Sequence, residues 1–165
     1  MTKKSTQDLL AQYPLQLGGD NPVLRTKCDK ITVFDKKLQE IAQDMRRLMR
    51  IHYGTGLAAP QIGLPIQLIT TIQRKEKGDK LIEIDETVLV NPHIVDSSDK
   101  EIESEEACLS LWDIQGTIQR KERVVVAYQD IYGNHKQREF VGYNATVLQH
   151  EIDHLQGTLF IDRLE

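Results

Sequence analysis

The sequence predicts an α+β fold in which antiparallel-rich sheets pack around a C-terminal helix. Apolar residues recur at helical spacing near residue 40, short stretches rich in β-branched residues are separated by turn residues, and a second helical segment covers 145–156. The 165 residues, 39% of them hydrophobic, fit one domain with a core of its own. We therefore expect a single domain over residues 1–165, with a loosely ordered leader at 1–17.

The first predicted element is a helix over about residues 35–52, the more N-terminal of the two helices in this fold. Asp35 is a suitable N-cap, and Gly54 follows the end of the segment. Side chains at spacings of three and four predict one mainly apolar stripe that packs on the core. Its members are Leu38, Ile41, Ala42, Met45, Leu48, Met49 and His52.

Four strands are predicted next, in stretches rich in β-branched and aromatic residues. They cover about residues 65–72, 81–90, 123–130 and 137–141. We expect Asn91-Pro92 to end the second strand, because proline cannot donate a ladder hydrogen bond. The acidic stretch 96–106 is predicted to be an exposed loop. The last helix is expected to have Asn144 as its cap and to end at Gly157.

Charge and composition argue against several classes of function. A net charge of −4 does not suit a protein whose main task is to neutralise nucleic-acid phosphates. Two cysteines are too few for a disulfide framework, and free thiols fit a reducing compartment. No apolar stretch approaches the roughly 18 residues of a membrane span, and the N-terminus lacks the apolar region of a secretory signal. We expect a cytoplasmic protein without a direct role at nucleic acid or membrane.

Residues 150–154 read HEIDH, a pattern typical of metal-dependent hydrolases. His150 and His154 are four residues apart, so they lie on one helix face and can bind the same ion. Glu151 can then act as general base toward a water bound to that ion. The alternative is a surface helix that carries these three residues by chance.

A catalytic site of this kind usually has a third protein ligand and one open position. A downstream glutamate has little room because only residues 155–165 follow His154, and the position six residues after it is Phe160 rather than histidine. The third ligand is therefore expected upstream, and Cys108 is the best candidate because thiolates bind borderline and soft divalent metals. Cys28 competes for this role, and the alternative for Cys108 is a buried, inert cysteine.

Three motifs, in order, resemble those of the peptide deformylases. Residues 54–61, 106–110 and 150–157 read GTGLAAPQ, EACLS and HEIDHLQG, and the resemblance extends over about residues 18–163. It implies a metal-dependent amidohydrolase that removes the N-formyl group from the N-terminal methionine of newly made peptides and releases formate. The first motif could pass for a dinucleotide-binding turn, but such a turn follows a strand and opens a helix, the reverse of its context here. A plain glycine-rich turn is the remaining alternative.

The resemblance also assigns roles to individual residues. The metal ligands that it implies are Cys108, His150 and His154. Glu151 would be the general base, while the Gln61 side-chain amide and the Leu109 backbone N–H would stabilise the oxyanion. Glu106 is expected to pair with Arg120 and so hold the cysteine loop. The positions that would contact substrate are Gly54, Thr55, Gly56, Glu106, Ala107, Trp112 and Tyr143.

The cofactor implied by the resemblance is one divalent metal ion, Fe(II) in the cell, with Zn, Ni or Co as substitutes in purified protein. Ligand chemistry alone does not choose among these ions. The expected partners are N-formylmethionyl peptides. A transient ribosome contact is also implied, although the sequence resembles a short member without the C-terminal helix and ends without a basic tail. We expect a monomer in the cytoplasm, or in the host cytoplasm if the chain is phage-encoded.

Three residues depart from the family pattern. Ala107 replaces a glycine, and its methyl either narrows the substrate groove or is tolerated at negative φ. Trp112 stands where proline is common, and it either walls the peptide groove or packs on the core. Thr55 is more polar than the usual aliphatic residue. Rival functions are another zinc-type peptidase, a non-enzymatic peptide- or metal-binding relative, and a cysteine nucleophile in which Cys108 attacks with a histidine as base.

Overall fold

The computed structural model describes residues 4–164 as three helices, seven strands and two short 3-10 helices. The α-helices are α1 (Thr6–Gln12), α2 (Lys36–Ile51) and α3 (Tyr143–Leu155). The strands are β1 (Gly56–Ala58), β2 (Leu68–Lys77), β3 (Lys80–Ser97), β4 (Glu101–Cys108), β5 (Leu111–Lys121), β6 (Arg123–Gln129) and β7 (His135–Val141). The 3-10 helices are Ala59–Ile62 and Phe160–Arg163.

The strands form two sheets whose neighbouring strands all run antiparallel. The larger sheet has the order β1-β2-β3-β6-β7, and β4 pairs with β5 in a separate two-stranded sheet. Helix α3 contacts β1, β2 and β7 of the larger sheet and β5 of the smaller one. The predicted α+β class with antiparallel sheets is confirmed, and α3 lies where it can present side chains to the smaller sheet.

Helix α2 forms almost at its predicted bounds. The Asp35 side chain accepts a hydrogen bond from the Leu38 backbone N–H at 3.0 Å and so satisfies one of the free donors at the helix start. The predicted stripe is largely buried, and Met45 and Leu48 pack in one cluster with Leu68 and Ile72 of β2. This packing fixes the loop after α2, which carries residues 53–56 to the site.

Helix α3 packs one face on the larger sheet, but it does not use its predicted cap. Its N-cap is Gly142 at φ 58°, and the Asn144 side chain instead bonds both backbone groups of Arg74, with Asn144 Oδ1 accepting at 2.9 Å and Nδ2 donating at 2.8 Å. Leu148 and Leu155 pack on the larger sheet. The opposite face of the helix is thereby turned toward β4 and β5.

Two predictions about the middle of the chain were wrong. The acidic stretch 96–106 is not an exposed loop, because Glu101–Cys108 forms β4 and pairs with β5. Asn91-Pro92 does not end its strand: β3 continues to Ser97, with a register shift between Val90 and His93 that accommodates the proline. Asn91 adopts φ 52°, and its side chain accepts from the Ile31 N–H and donates to the Ile31 carbonyl, both at 2.8 Å.

The leader that was predicted to be loosely ordered over residues 1–17 contains helix α1. Residues 1–3 of the leader lie outside the described residues. Ser5 and Asp8 form a reciprocal capping box at the start of α1. A helix of seven residues is marginal by itself, so its packing matters. Leu9 is fully buried in the cluster that contains Met45, which attaches α1 to α2. No helix in the described part of the chain is long and apolar enough to cross a membrane.

Candidate metal and catalytic site

Three potential metal ligands converge between α3 and the end of β4. His150 and His154 lie one turn apart on α3 with ring centroids 5.0 Å from each other, and Cys108 Sγ is 3.4 Å from His154 Nε2. The Sγ atom and one nitrogen from each imidazole all lie within 4.8 Å of one another. A thiol and two imidazoles in this arrangement suit a divalent transition-metal ion.

The second cysteine lies elsewhere. Cys28 is buried in the cluster between α3 and the larger sheet, where its thiol contacts the Thr26 carbonyl. Burial, with a smaller contribution from Asp29, raises the pKa of the Cys28 thiol to about 11. Such a thiol stays protonated near neutral pH and is a poor ligand. The structure therefore groups Cys108, and not Cys28, with the two histidines.

A buried ion-pair network supports His150 from behind. Arg120 Nε and Nη2 donate to the two Glu106 oxygens at 2.8 and 3.0 Å, and Arg120 Nη1 donates to Asp153 Oδ2 at 2.6 Å. His150 Nδ1 lies 2.7 Å from Glu106 Oε2. Burial opposes ionisation of Glu106, but its bonds to His150 and Arg120 outweigh burial and lower the pKa of Glu106 to about 2. Glu106 thus remains a charged acceptor that orients the His150 ring.

This network is larger than the sequence indicated. The family resemblance implied the pair of Glu106 and Arg120, whereas Asp153 was read only as part of the HEIDH motif. Asp153 also accepts bonds from Arg163 Nε at 2.7 Å and Nη2 at 2.8 Å, which connects α3 to the last 3-10 helix. The signal was the acidic residue that directly precedes His154, but its partner Arg120 lies 33 residues away in the sequence, so the pair required the fold.

The electrostatics of the histidines suit a bound cation. Burial would lower the pKa of His150, yet its contacts with Cys108 and Glu106 outweigh burial and raise that pKa to about 10. The surroundings therefore favour a positive charge at this point, which a metal ion also supplies. Burial, together with the charges of His150 and Arg120, holds the pKa of His154 well below its ordinary value. A neutral imidazole is the form that binds metal.

Glu151 is a buried carboxyl beside these ligands. Burial raises its pKa to about 7, although the neighbouring His150 acts in the opposite direction. Its Oε2 atom has no hydrogen-bond partner among the described residues. A Cβ added to Gly56 would overlap the Glu151 carboxyl group, so the absence of a side chain at Gly56 is what allows the loop to approach. An unpaired buried carboxyl with this pKa can exchange a proton near neutral pH.

Gln61 and Leu109 border the same space. Gln61 is buried, and its Oε1 accepts a hydrogen bond from the Ala58 N–H at 2.9 Å. This bond directs the Nε2 group toward Cys108 Sγ at 3.6 Å and Ser110 Oγ at 3.3 Å. Leu109 follows Cys108 in the turn between β4 and β5 and lines the cleft. Both residues can therefore present N–H donors near the ligand cluster.

The site opens into a cleft of about 640 Å³ between residues 53–56, strand β4 and the first turns of α3. Thr55 Oγ1 lies 3.0 Å from the Tyr143 hydroxyl and joins two walls of the cleft. Trp112 also lines the cleft and is mostly exposed, so it walls the groove and does not pack on the core. Ala107 lines the cleft at negative φ, a conformation that tolerates its methyl group.

Comparison with known proteins agrees with this geometry. A model of the polypeptide deformylase family matches residues 16–165. The chain belongs to the peptide deformylase family. It is 39% identical to a peptide deformylase of Opitutus terrae over 88% of this chain and 82% of that protein, and 39% identical to one of Dictyoglomus thermophilum over 88% of both chains.

Solved peptide deformylases also share the fold. A class I type b peptide deformylase of Acinetobacter baumannii, bound to Met-Ala-Ser, superposes with a TM-score of 0.85 at 29% identity, covering 92% of this chain and 98% of that one. The Thermotoga maritima peptide deformylase gives 0.80 at 35% identity, covering 93% and 98%. The chain is thus an enzyme of the peptide deformylase family, and its reaction class is hydrolytic removal of a formyl group from a peptide.

Proposed function

We propose that this protein is a metal-dependent amidohydrolase that removes the N-formyl group from the N-terminal methionine of newly made peptides. The observation that carries the proposal is the convergence of Cys108, His150 and His154 beside the buried carboxyl group of Glu151. Family membership supplies the reaction class. The geometry supports a metal at the floor of the cleft and a proton carrier next to it.

Cys108 Sγ and one imidazole nitrogen each from His150 and His154 would hold the ion. When bound, such an ion acts as a Lewis acid and lowers the pKa of a coordinated water. Glu106 accepts the Nδ1 proton of His150, which leaves Nε2 as the nitrogen that faces the ligand position. We propose Fe(II) as the ion in the cell from the family resemblance. Zn, Ni or Co can replace it in purified protein because thiolate and imidazole accept all four ions.

Glu151 moves the proton. It accepts a proton from water as the water oxygen bonds to the formyl carbon, and it delivers that proton to the peptide nitrogen as the C–N bond breaks. Formate and a free peptide amine are the products. A pKa of about 7 suits both halves of this task, because the carboxyl group can take up and release a proton near neutral pH.

Two N–H donors would stabilise the oxygen on which negative charge develops. Gln61 Nε2 is held in place because the other end of the amide is bonded to the Ala58 N–H. The Leu109 backbone N–H lies at the β4–β5 turn next to Cys108. Donors that are fixed before the reaction cost no reorganisation when charge develops. The peptide itself would lie along residues 54–56 and strand β4, which line the cleft.

The proposal extends to the setting of the enzyme. We propose one catalytic domain over residues 1–165 that acts as a monomer in the cytoplasm on N-formylmethionyl peptides. All the proposed site residues except the buried His154 and Arg120 line one cleft of a single chain, which supports a site that needs no second subunit.

Formate release from formyl-Met-Ala-Ser tests this function. The protein would be prepared without oxygen, loaded with Fe(II) or Ni(II), and compared with Cys108→Ala and with the matched control Cys28→Ala. We expect formate from the wild type and from Cys28→Ala, and neither formate nor stoichiometric metal from Cys108→Ala. Cleavage of unformylated peptides without formate would instead indicate a peptidase. Activity that survives a chelator but not alkylation would indicate a cysteine nucleophile.

A further inference from the structure

Two exposed aromatic side chains border the mouth of the cleft. Tyr53 is 96% exposed and Trp112 is 70% exposed, and both line the cleft. Large aromatic side chains exposed beside a pocket are characteristic of binding surfaces, because they bring apolar area with few rotatable bonds. Tyr132, which is 67% exposed in the turn between β6 and β7, is an aromatic residue outside the cleft and serves below as a control.

The end of helix α2 fixes the backbone at Tyr53. Tyr53 has φ 57°, the left-handed conformation in which many helices end, and its N–H donates to the Arg50 carbonyl at 3.1 Å while the Gly54 N–H donates to the Met49 carbonyl at 2.9 Å. Asp113, the residue after Trp112, has φ 64° in the part of β5 that lies at the register shift between Ala107 and Cys108. Hydrogen bonds at a helix end and an irregularity of the small sheet thus set where the two aromatic side chains leave the backbone.

Leu109 bonds Trp112 and lies next to the residue that follows Tyr53. Trp112 Nε1 donates a hydrogen bond to the Leu109 carbonyl at 2.8 Å, which fixes the indole ring. On the other side, a Cβ on Gly54 would lie 3.0 Å from Leu109 Cδ1, so the residue next to Tyr53 packs directly on Leu109. A ring held before binding loses little freedom when a ligand covers it.

These positions suit a peptide that extends along the cleft from the reaction centre. Leu111 is the cross-strand partner of Cys108, so Trp112 is only one residue beyond the partner of a proposed metal ligand. An extended peptide advances about 3.4 Å per residue. With the formyl group at the ligand cluster, the second and third residues of the peptide come within reach of the rim formed by Tyr53 and Trp112.

We propose that Tyr53 and Trp112, the aromatic rim, bind the residues that follow the first residue of the substrate and select apolar or aromatic side chains there. This inference rests on the proposed function, because it takes a formylated peptide as the occupant. The side chain of Trp112 contributes its indole face to the substrate, and its N–H keeps that face in place. The rim therefore makes the enzyme selective beyond the first residue.

Competing peptides test this selectivity. The specificity constant kcat/KM would be measured for formyl-Met-Phe-Ser and formyl-Met-Ala-Ser with wild type, Trp112→Ala, Trp112→Phe, Tyr53→Asn and the control Tyr132→Ala. We expect the wild type to prefer the Phe peptide by about 3- to 10-fold, as one aromatic contact allows. Trp112→Ala should lose most of that ratio and Tyr53→Asn part of it, whereas Trp112→Phe and Tyr132→Ala should keep it. Asparagine is chosen at position 53 because it tolerates positive φ.

A binding measurement separates this inference from the proposed function. Trp112 is the only tryptophan of the chain, so the intrinsic tryptophan fluorescence reports on the rim alone. Titration with the product peptides Met-Phe-Ser and Met-Ala-Ser should change the emission and show tighter binding of the Phe peptide, even if no formate is ever released. Absence of formate with this binding intact would remove the proposed activity and leave the rim as a peptide-binding surface.

Three outcomes would overturn the aromatic rim. If the wild type has the same kcat/KM for both peptides, there is no selectivity for the rim to explain. An equal loss on both peptides in Trp112→Ala and Trp112→Phe would mean that Trp112 acts only by positioning Leu109. A wild type that is dimeric in sedimentation, with monomeric Trp112→Ala and Tyr53→Asn variants, would mean that the rim binds a second copy of this chain.

Discussion

The floor and the rim of the cleft are built in different ways. At the floor, Glu151 and His154 are almost completely buried, and Glu106 holds His150 by a short hydrogen bond. At the rim, Tyr53 is fully open to solvent. The floor thus has fixed charges in a nearly dry environment, where electrostatic effects are strong. The rim has exposed apolar surface that a ligand can cover. Catalysis needs the buried fixed charges of the floor, and recognition of variable peptides needs the exposed apolar surface of the rim.

The comparison predicts that changes at the floor act on turnover or folding, whereas changes at the rim act on affinity. Floor residues hold or move charge, so their loss cannot be compensated by water. Rim residues contribute contact area and single hydrogen bonds, which are individually modest. The following four variants would sharpen or break this distinction.

Glu151→Gln should have the largest effect. Glutamine keeps the shape of the side chain but cannot accept the proton, so kcat should fall by about 10²–10⁴-fold while the metal content stays unchanged. Stopped formate assays and metal analysis on the same sample would check this. Wild-type turnover in this variant would remove Glu151 from its proposed role as the base.

Arg120→Met should mainly affect stability. It leaves Glu106 buried without the bidentate partner that it has in the wild type, and breaking a buried pair costs about 3–5 kcal/mol in the free energy of unfolding. Urea denaturation would measure this loss. The control is Lys100→Met, whose pair with Glu122 is exposed and should contribute less than about 1 kcal/mol. Similar small losses in both variants would contradict the importance of the network.

Tyr143→Phe should have a smaller effect, confined to substrate binding. It removes the hydroxyl group that bonds Thr55 across the cleft, an interaction at a partly exposed site that contributes about 1 kcal/mol. We expect KM for formyl-Met-Ala-Ser to rise about 5-fold with kcat nearly unchanged. The double variant with Thr55→Val should behave like either single variant, since both remove the same bond. Additive losses would show that the two hydroxyl groups act separately.

Ala107→Gly should have the smallest effect on activity. Ala107 lines the cleft at negative φ, so its methyl group does not force the backbone, and we expect kcat/KM to change less than about 2-fold. Stability should fall by about 0.5–1 kcal/mol because glycine loses more conformational freedom on folding. A large gain in activity would show that the methyl group narrows the path of the substrate.

The sequence predicted those parts of the floor that depend on local geometry. Two histidines four residues apart must share a helix face, and the stripe and cap of α2 are equally local, so these features needed no knowledge of the fold. The grouping of Cys108 with them came from the need for a third, upstream ligand and from thiolate chemistry, with Cys28 as the competitor, and the structure places the three ligand atoms together. The contacts that hold Cys108 beside the two histidines could not be predicted from sequence periodicity.

The features that the sequence missed depend on distant partners. Strand β4 is rich in exposed acidic residues and buries only Ser104, Glu106 and Cys108 on its inner face, so it looked like a solvated acidic loop. Arg120 on β5 and His150 on α3 make the burial of Glu106 favourable. Helix α1 is too short to be stable without the core that receives Leu9. Trp112 is likewise exposed and bonded to the Leu109 carbonyl, whereas the sequence left open whether it walls the groove or packs on the core.

The order of the larger sheet has a consequence for how copies of this protein behave during folding. Its two outer strands are β1, which has only three residues, and β7, which carries Lys136, Arg138 and Glu139. Short or highly charged outer strands offer a poor template for another chain, because an incoming strand would gain few ladder bonds or would have to desolvate charges. The sheet that holds α3 in place therefore also discourages the edge-to-edge pairing that leads to aggregation.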